Sequence, residues 1–585
     1  MSRSPFIHRA SEQHHPLSFT PEGIAAQIEI LRRTVGMGMN RAYMAQCWPD
    51  GMIRLVDYSE TLPFFSSPEL TESVAANRRG FAEICAEARH LGIEPWPSLN
   101  ILNYPNSVAE AFPDIVATPP RAADRWMRKA NGRALSKNPQ LCASSVGFAK
   151  LVEAQVTEIC QLPDIAGLEC WLTAGDTDLF YCNCETCRTR TIAEMIAHFA
   201  AQAWPICQRF GKGLLLRTYL GGWRCGLETE VWREAAPLLP PGVEIAFKQQ
   251  AGDFMTWHGP NPLAGELAPH TEHVEFDSAG EYRGINYGIV CTVRHQLTEL
   301  IRHFADRGVA GLIFRKPYHL HAFDLDKWLF GELAQNPDLN AAAWAEQWAR
   351  TRFGNAGAEV LNLLDLSAEI LRGIMYVNGV QWASWAVPHN LVRMRFILFD
   401  RCAPCVPGSW ERLQPTEENL RSIRADQAQA ILQADELVRR CEKLNGILAP
   451  EFHAPLLASC QYLRLYARFA TPLVDAFFHL LKWEKTSSEV TREYVRADLT
   501  ELLAVAEAAI QTAREQLTTI DLFALGTLVE HPTEATHFAE PLHYAETILN
   551  DIRERIDVPP ASWWSVYPWP DRWPTSLRSR DELYG

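Results

Sequence analysis

The sequence predicts a (β/α)8 TIM barrel followed by an all-helical C-terminal domain, and three observations carry that expectation. Over the first half, helical apolar spacing alternates with short strand-type runs, the pattern of parallel strands joined by helical crossovers. From about Leu325 strand signals become scarce and long helically periodic segments take over. Acids also stand just past several strand runs, at the edge where barrel enzymes build their sites. The implied units are an irregular N-terminal segment over 1–20, a barrel over 21–335 and a helical domain over 336–585.

In chain order, the first helix starts at Pro21, repeats Ile24, Ile28, Ile30, Leu31 and Val35, and stops at Gly36 and Gly38. NRAYMAQCW is a strand ending near Gln46 to Trp48; a helix from about Glu69 to Leu91 closes at Gly92, and IEPWPSLNIL is the next strand. Residues 104–148 are less regular, with a short strand expected near Gln140 to Ala143. A helix from Phe148 to Gln161, a strand from Ala166 to Leu172, a helix from Thr191 to Phe210 and the strand GLLLRTYLGGW follow. Val243 to Lys248 and His273 to Phe276 are strands, Val290 to Arg307 a helix and VAGLIFR the last strand, which brings the expected number to eight. Helices are then expected over 340–352, 358–374, 417–444, 455–483, 488–517 and 541–556, ahead of a Trp/Pro tail, PPASWWSVYPWPDRW.

A chain of 585 residues is multidomain, and its formal charge of −15 argues against a nucleic-acid partner. The N-terminus has no apolar signal core and no run is long enough to cross a bilayer, so a cytoplasmic chain without membrane contact is expected. The 15 Cys are scattered and odd in number, which fits reduced thiols better than a disulfide framework. Cys182, Cys184 and Cys187 in YCNCETCR have a spacing that could hold a metal, but a closed zinc site wants four ligands and no fourth is evident nearby. No metal is assigned, the alternative being a tight turn of packed thiols.

The chemistry concentrates in residues 243–288. One post-strand loop holds Asp253, Trp257 and His258; the next holds Asp277, Glu281 and Tyr282, with Glu275 on the strand feeding it. Paired carboxylates past neighbouring strands, among aromatic side chains, suit glycosidic bond cleavage, which needs two acids a fixed distance apart across the bond. Each acid could instead cap a helix or pair with Arg283. Lys248 and Arg315 stand at strand ends, where a cation would meet an anionic sugar or neutralise the barrel's own acids. Trp48, Trp96, Trp223 and Trp257 are stacking candidates, and His258, His319 and His321 could bond sugar hydroxyls.

The words FKQQAGDF, WHGPNPLAG and EFDSAGEYRG resemble glycoside hydrolase family 67, the α-glucuronidases. PDIAGLECWLTAGD, LLLRTYL and GVAGLIFRKPYHLHAFDLDKWLFGELAQNP resemble further segments of that family in the same order, so the likeness spans roughly residues 150–380. It implies a barrel with a helical C-terminal domain, allows a homodimer through that domain, and puts Asp253 and Glu281 on the two carboxylates that activate water. Two positions depart from the family. Gly175 stands where the catalytic acid would be, with Asp176 next to it, and Trp171 replaces a lysine that helps hold the sugar carboxylate. Arg217 matches the family's second carboxylate-binding cation.

The expectation is therefore a glycoside hydrolase that releases a terminal α-linked uronic acid or related sugar from an oligosaccharide, with inversion and without a cofactor. Asp176 is the general acid, with Asp178 and Glu169 in reserve, and Asp253 and Glu281 activate water. Trp48, Trp171, Arg217, Lys248, Trp257, His258, Tyr282, Arg315 and His319 are the substrate-binding candidates. The alternatives are a retaining glycosidase of a neighbouring barrel family and a non-catalytic carbohydrate-binding barrel.

Overall fold

The computed structural model describes residues 4–12, 19–47, 55–56, 68–100, 115–118, 142–172, 182, 184–218, 227–251, 254–277, 280–315, 320–383, 387–529 and 535–556. Eight parallel strands close into a barrel in chain order. They are β1 His8–Glu12, β2 Arg41–Cys47, β3 Glu94–Asn100, β4 Gly167–Trp171, β5 Gly213–Arg217, β6 Glu244–Lys248, β7 Glu272–Phe276 and β8 Gly311–Arg315. Strand β1 shuts the sheet: Ala10 lies opposite Arg41 of β2 on one side and Ile313 of β8 on the other.

Two sequence expectations change here. The segment over 1–20 is not simply irregular, because it contains β1, and in the stretch near Gln140 to Ala143 the described part, Cys142 and Ala143, is not strand but runs into a turn at Ala143 and Ser144, with 140 and 141 outside the described residues. That turn leads into the helix Val146–Cys160, whose first turn is capped by Ser145 Oγ accepting from Phe148 N at 3.1 Å. Strand β1 escapes the sequence reading because HRASE carries no apolar alternation. Its His8, Ala10 and Glu12 each meet other side chains inside the barrel, two of them polar.

The other strands were legible from their outer faces. Leu214, Leu216, Ile245, Phe247, Val274, Phe276, Leu312 and Phe314 are all buried in the main core, as expected of a parallel sheet covered by helices. Those helices include Pro21–Gly36, Pro68–His90, Ile192–Arg209 and Arg294–Asp306. Thr191 and Glu194 form a reciprocal capping box that starts the third of them.

The interior is layered differently. Its middle is apolar and thin: Ala10, Tyr43, Trp96, Leu215, Ala246 and Ile313. The Trp96 ring fits only because β4 and β5 begin with glycine, since a Cβ at Gly167 or Gly213 would stand 2.5 Å from that ring. At the amino-terminal end Arg41 reaches Glu244 at 2.7 Å, Glu94 at 3.2 Å and His8 Nδ1 at 2.9 Å, under a Trp96 ring 4.1 Å from its guanidinium carbon. His273 stacks on His8 and lies 2.7 Å from Glu244. Burial, then Arg41, pulls His8 down to about 4, so the ring is neutral at physiological pH. This end of a barrel ordinarily serves stability rather than chemistry.

Beyond β8 the described residues are mainly helical, with long helices over Gly357–Met375, Glu417–Glu442, Pro450–Lys485, Glu489–Leu517 and Glu540–Ile556. One interruption was not anticipated. Tyr376–Val377 and Val380–Gln381 pair antiparallel around Asn378 and Gly379, whose φ values of 48° and 82° are the two positive angles of a tight hairpin turn. The hairpin aims Tyr376 at the loop after β6. No described helix is long and apolar enough to cross a membrane.

Candidate active site

At the carboxyl end the barrel is floored by charge. Arg217, at the end of β5, sends Nη2 to Glu12 Oε2 and Nη1 to Glu169 Oε1, both at 2.9 Å, and also pairs with Glu275. Its guanidinium carbon lies 4.1 Å from the Trp171 ring centre. Ser98 Oγ donates to Glu169, and Arg315 Nε stands 3.7 Å from Glu275 Oε1. Strands β1, β3, β4, β5, β7 and β8 thus converge on one buried ion network above the apolar middle.

Three acids around one guanidinium do not all ionise easily. Burial is the main cause that pushes Glu275 up to about 7, against the opposing pull of Arg217, while Glu12 adds to the rise. Burial likewise raises Glu169 above the usual carboxylate range, with Arg217 again opposing. Burial draws Arg217 down, but the surrounding glutamates outweigh it and hold the guanidinium more firmly protonated than usual. Next to this floor Glu228, bonded to Thr218 Oγ1 at 2.8 Å, is pushed by burial up to about 7, Lys248 opposing.

Above the floor the loops after β6 and β7 touch. The rings of Phe254 and Tyr282 are 6.0 Å apart and edge-on, and they are the chain neighbours of Asp253 and Glu281. Lys248 Nζ and the Arg315 guanidinium carbon face the same Phe254 ring at 4.3 and 5.0 Å. The β7 loop is shaped by Asp277, which accepts from Gly280 N at 3.0 Å and Tyr282 N at 3.4 Å. Gly280 and Gly284 bracket the short turn Glu281–Arg283, both with positive φ near 75°, a conformation that favours glycine. Arg283 pairs with Asp326 at 2.5 Å, which ties the end of this turn to the helix Leu325–Gln335.

The expected site residues fall into three groups. Asp176, its reserve Asp178, Asp253, Trp48 and His319 lie outside the described residues, and for Glu281 only the backbone is described. Trp171, Arg217, Lys248, Tyr282 and Arg315 are brought together around the floor and Phe254. Arg217 is 2% exposed and its charge is balanced inside the barrel, whereas Arg315 reaches nearer the mouth, its side chain 13% exposed. Trp257 and His258 form a separate group: both rings pack edge-on against Tyr376, 5.2 and 5.8 Å away. The Trp257 N–H donates to Tyr376 Oη at 3.3 Å, and burial pulls His258 down to about 3, so it stays neutral.

Sequence reasoning missed three contributors. Glu12 was hidden in the segment over 1–20. Tyr376 was hidden between two helices, although its Asn-Gly turn is a readable hairpin signal. The third is Cys142: its sulfur joins those of Cys182, Cys184 and Cys187 so that all four lie within 4.8 Å of one another, supplying the fourth ligand position that the local spacing lacked.

No family model matches the chain, and no curated protein is significantly similar to it. Solved structures are. An enzyme of glycoside hydrolase family 138 targeting pectin rhamnogalacturonan II superposes with a TM-score of 0.62 at 13% identity, over 95% of this chain and 84% of that one. An O-GlcNAc hydrolase from Thermobaculum terrenum gives a TM-score of 0.40 at 11% identity over 96% of this chain and 98% of that one. A family 20 β-N-acetylglucosaminidase gives 0.40 at 11% over 62% and 75%. The last two superpose too loosely to bear on this chain; the first shows that barrel and helical region together form a known architecture.

Proposed function

We propose that this chain is a glycoside hydrolase that removes a terminal α-linked uronic acid or related sugar from an oligosaccharide. The observation that carries the reading is the contact between Phe254 and Tyr282, which joins the loops bearing Asp253 and Glu281 over a floor of buried carboxylates. Two further points support it. The sequence words around these residues resemble family 67, and the overall fold is shared with a glycoside hydrolase named as targeting pectin rhamnogalacturonan II.

In this mechanism Asp253 and Glu281 hold and deprotonate a water, and Asp176 protonates the leaving oxygen in the same step. Inversion requires a carboxyl separation of about 6.5–9.5 Å to admit that water. Arg315 and Lys248, both at strand ends and both facing Phe254, are the cations for a sugar carboxylate. Arg217 acts beneath them by fixing the floor's charge, and Trp171 covers it.

The test is incubation with aldobiouronic acids while NMR follows the anomer first released. The β anomer from an α-linked donor supports inversion, and the α anomer would move the enzyme to the retaining class. Binding without turnover on every uronoside tried would instead make the chain a carbohydrate-binding barrel, in keeping with Gly175 at the family's acid position.

A further inference from the structure

Cys142, Cys182, Cys184 and Cys187 lie apart from the proposed chemistry, and their arrangement is that of a metal site. We infer that these four thiolates hold one structural zinc ion. All four sulfurs lie within 4.8 Å of one another, and Cys142 Sγ stands 3.7 Å from both Cys184 Sγ and Cys187 Sγ. A tetrahedron of sulfurs about 2.3 Å from a central zinc has edges of roughly 3.8 Å. The same spacing is far too long for a disulfide, whose sulfurs stand about 2.05 Å apart, and none of the four is disulfide-bonded.

Two backbone donors are aimed at sulfurs of the set. The Thr118 N–H donates to Cys182 Sγ at 3.3 Å, and the Cys187 N–H donates to Cys184 Sγ at 3.4 Å at the start of the turn Glu185–Arg188. Backbone donors aimed at sulfur stabilise thiolate and orient it, which is what a bound divalent ion requires of its outer shell. Three ligands of the set, Cys142, Cys182 and Cys187, are buried, as in a closed structural site and unlike a catalytic one with an open position.

The position gives the ion a structural task. Cys142 ends the long connection after β3, and the other three follow β4. Zinc would clip these two connections together at the carboxyl end of the barrel, beyond the last ladder pair of β3 and β4 at Asn100 and Trp171. Binding displaces the thiol protons, so the site loads less readily as pH falls.

The experiment is elemental analysis of the full-length protein purified without chelator, with Cys142→Ala and Cys184→Ala as test variants and Cys85→Ala, another buried thiol, as control. About one zinc per chain is expected in the parent and control, and a loss of most of it in both test variants. Because a test variant could misfold, the parent is also loaded with cobalt. Thiolate-to-cobalt charge-transfer bands with the intense visible bands of a tetrahedral centre are expected. A folded, metal-free parent that gives no such cobalt spectrum would overturn the proposal. So would a disulfide among the four by mass spectrometry, or iron in place of zinc.

Discussion

Replacing Glu275 by Gln tests whether the floor of the barrel is held together by charge balance. Glu275 is 1% exposed; its Oε1 serves Arg217 and faces Arg315, while its Oε2 finds no partner among the described residues. Burial sets its carboxyl at about 7 against an ordinary value of 4.5, a difference worth roughly 3 kcal/mol. A carboxyl raised in the folded state contributes stability that is fully present below 4.5 and is lost as pH rises to about 7. The amide of the variant cannot ionise, so that loss disappears. Arg217 is not stranded, since Glu12 and Glu169 still hold it at 2.9 Å. Glu228, displaced to about the same value, is unchanged and cancels in the comparison. Stability of the variant minus that of the parent should therefore climb by roughly 3 kcal/mol between about pH 4.5 and pH 7.5. The assay is urea unfolding followed by tryptophan fluorescence across that range. Parallel curves, or a difference that falls with pH, would refute the charge-balance argument.

Asp253→Asn and Glu281→Gln should each lower turnover of a uronoside by about 10²–10⁴-fold with an unchanged melting temperature; normal turnover in either removes that residue from water activation. Gly167→Ala or Gly213→Ala pushes a methyl to 2.5 Å from the Trp96 ring and should cost about 1–3 kcal/mol, part of it recovered by adding Trp96→Leu, as read from thermal melts. Tyr376→Phe removes the acceptor of the Trp257 N–H and the donor to Gln381 Oε1, 3.0 Å away, so a loss of about 1–3 kcal/mol is expected in chemical denaturation. An unchanged midpoint would mean the hairpin does not anchor the loop after β6.

What could be read in the sequence was the side of each strand that faces helices. GLLLR, EIAFK and GLIFR announce themselves because their outward residues are uniformly apolar. The inward residues obey another rule. His8, Ala10 and Glu12 carry no strand signal on their own, and become intelligible only when Ile313, Arg217 and His273 are known to face them. The same holds for Cys142, which no local spacing ties to Cys182, Cys184 and Cys187. The candidate acids on the loops could be named from their position after strand runs, because that position is a property of the chain. The partners of Glu169 and Glu275 could not, because Arg217 meets them only once β4, β5 and β7 have closed into the barrel.

This difference separates two kinds of acid that look alike in the sequence. A buried glutamate such as Glu275, fixed by a guanidinium and raised by desolvation, acts on stability, and its removal should be felt most as pH changes. An acid that moves protons for a bound sugar has to meet water and substrate, so its removal should cost turnover and leave the unfolding curve in place. Only a thin apolar layer separates the charged floor from the charged amino-terminal end. A floor acid that abolished turnover at every pH without moving stability would place the reaction deeper in the barrel, on β4 or β7 themselves.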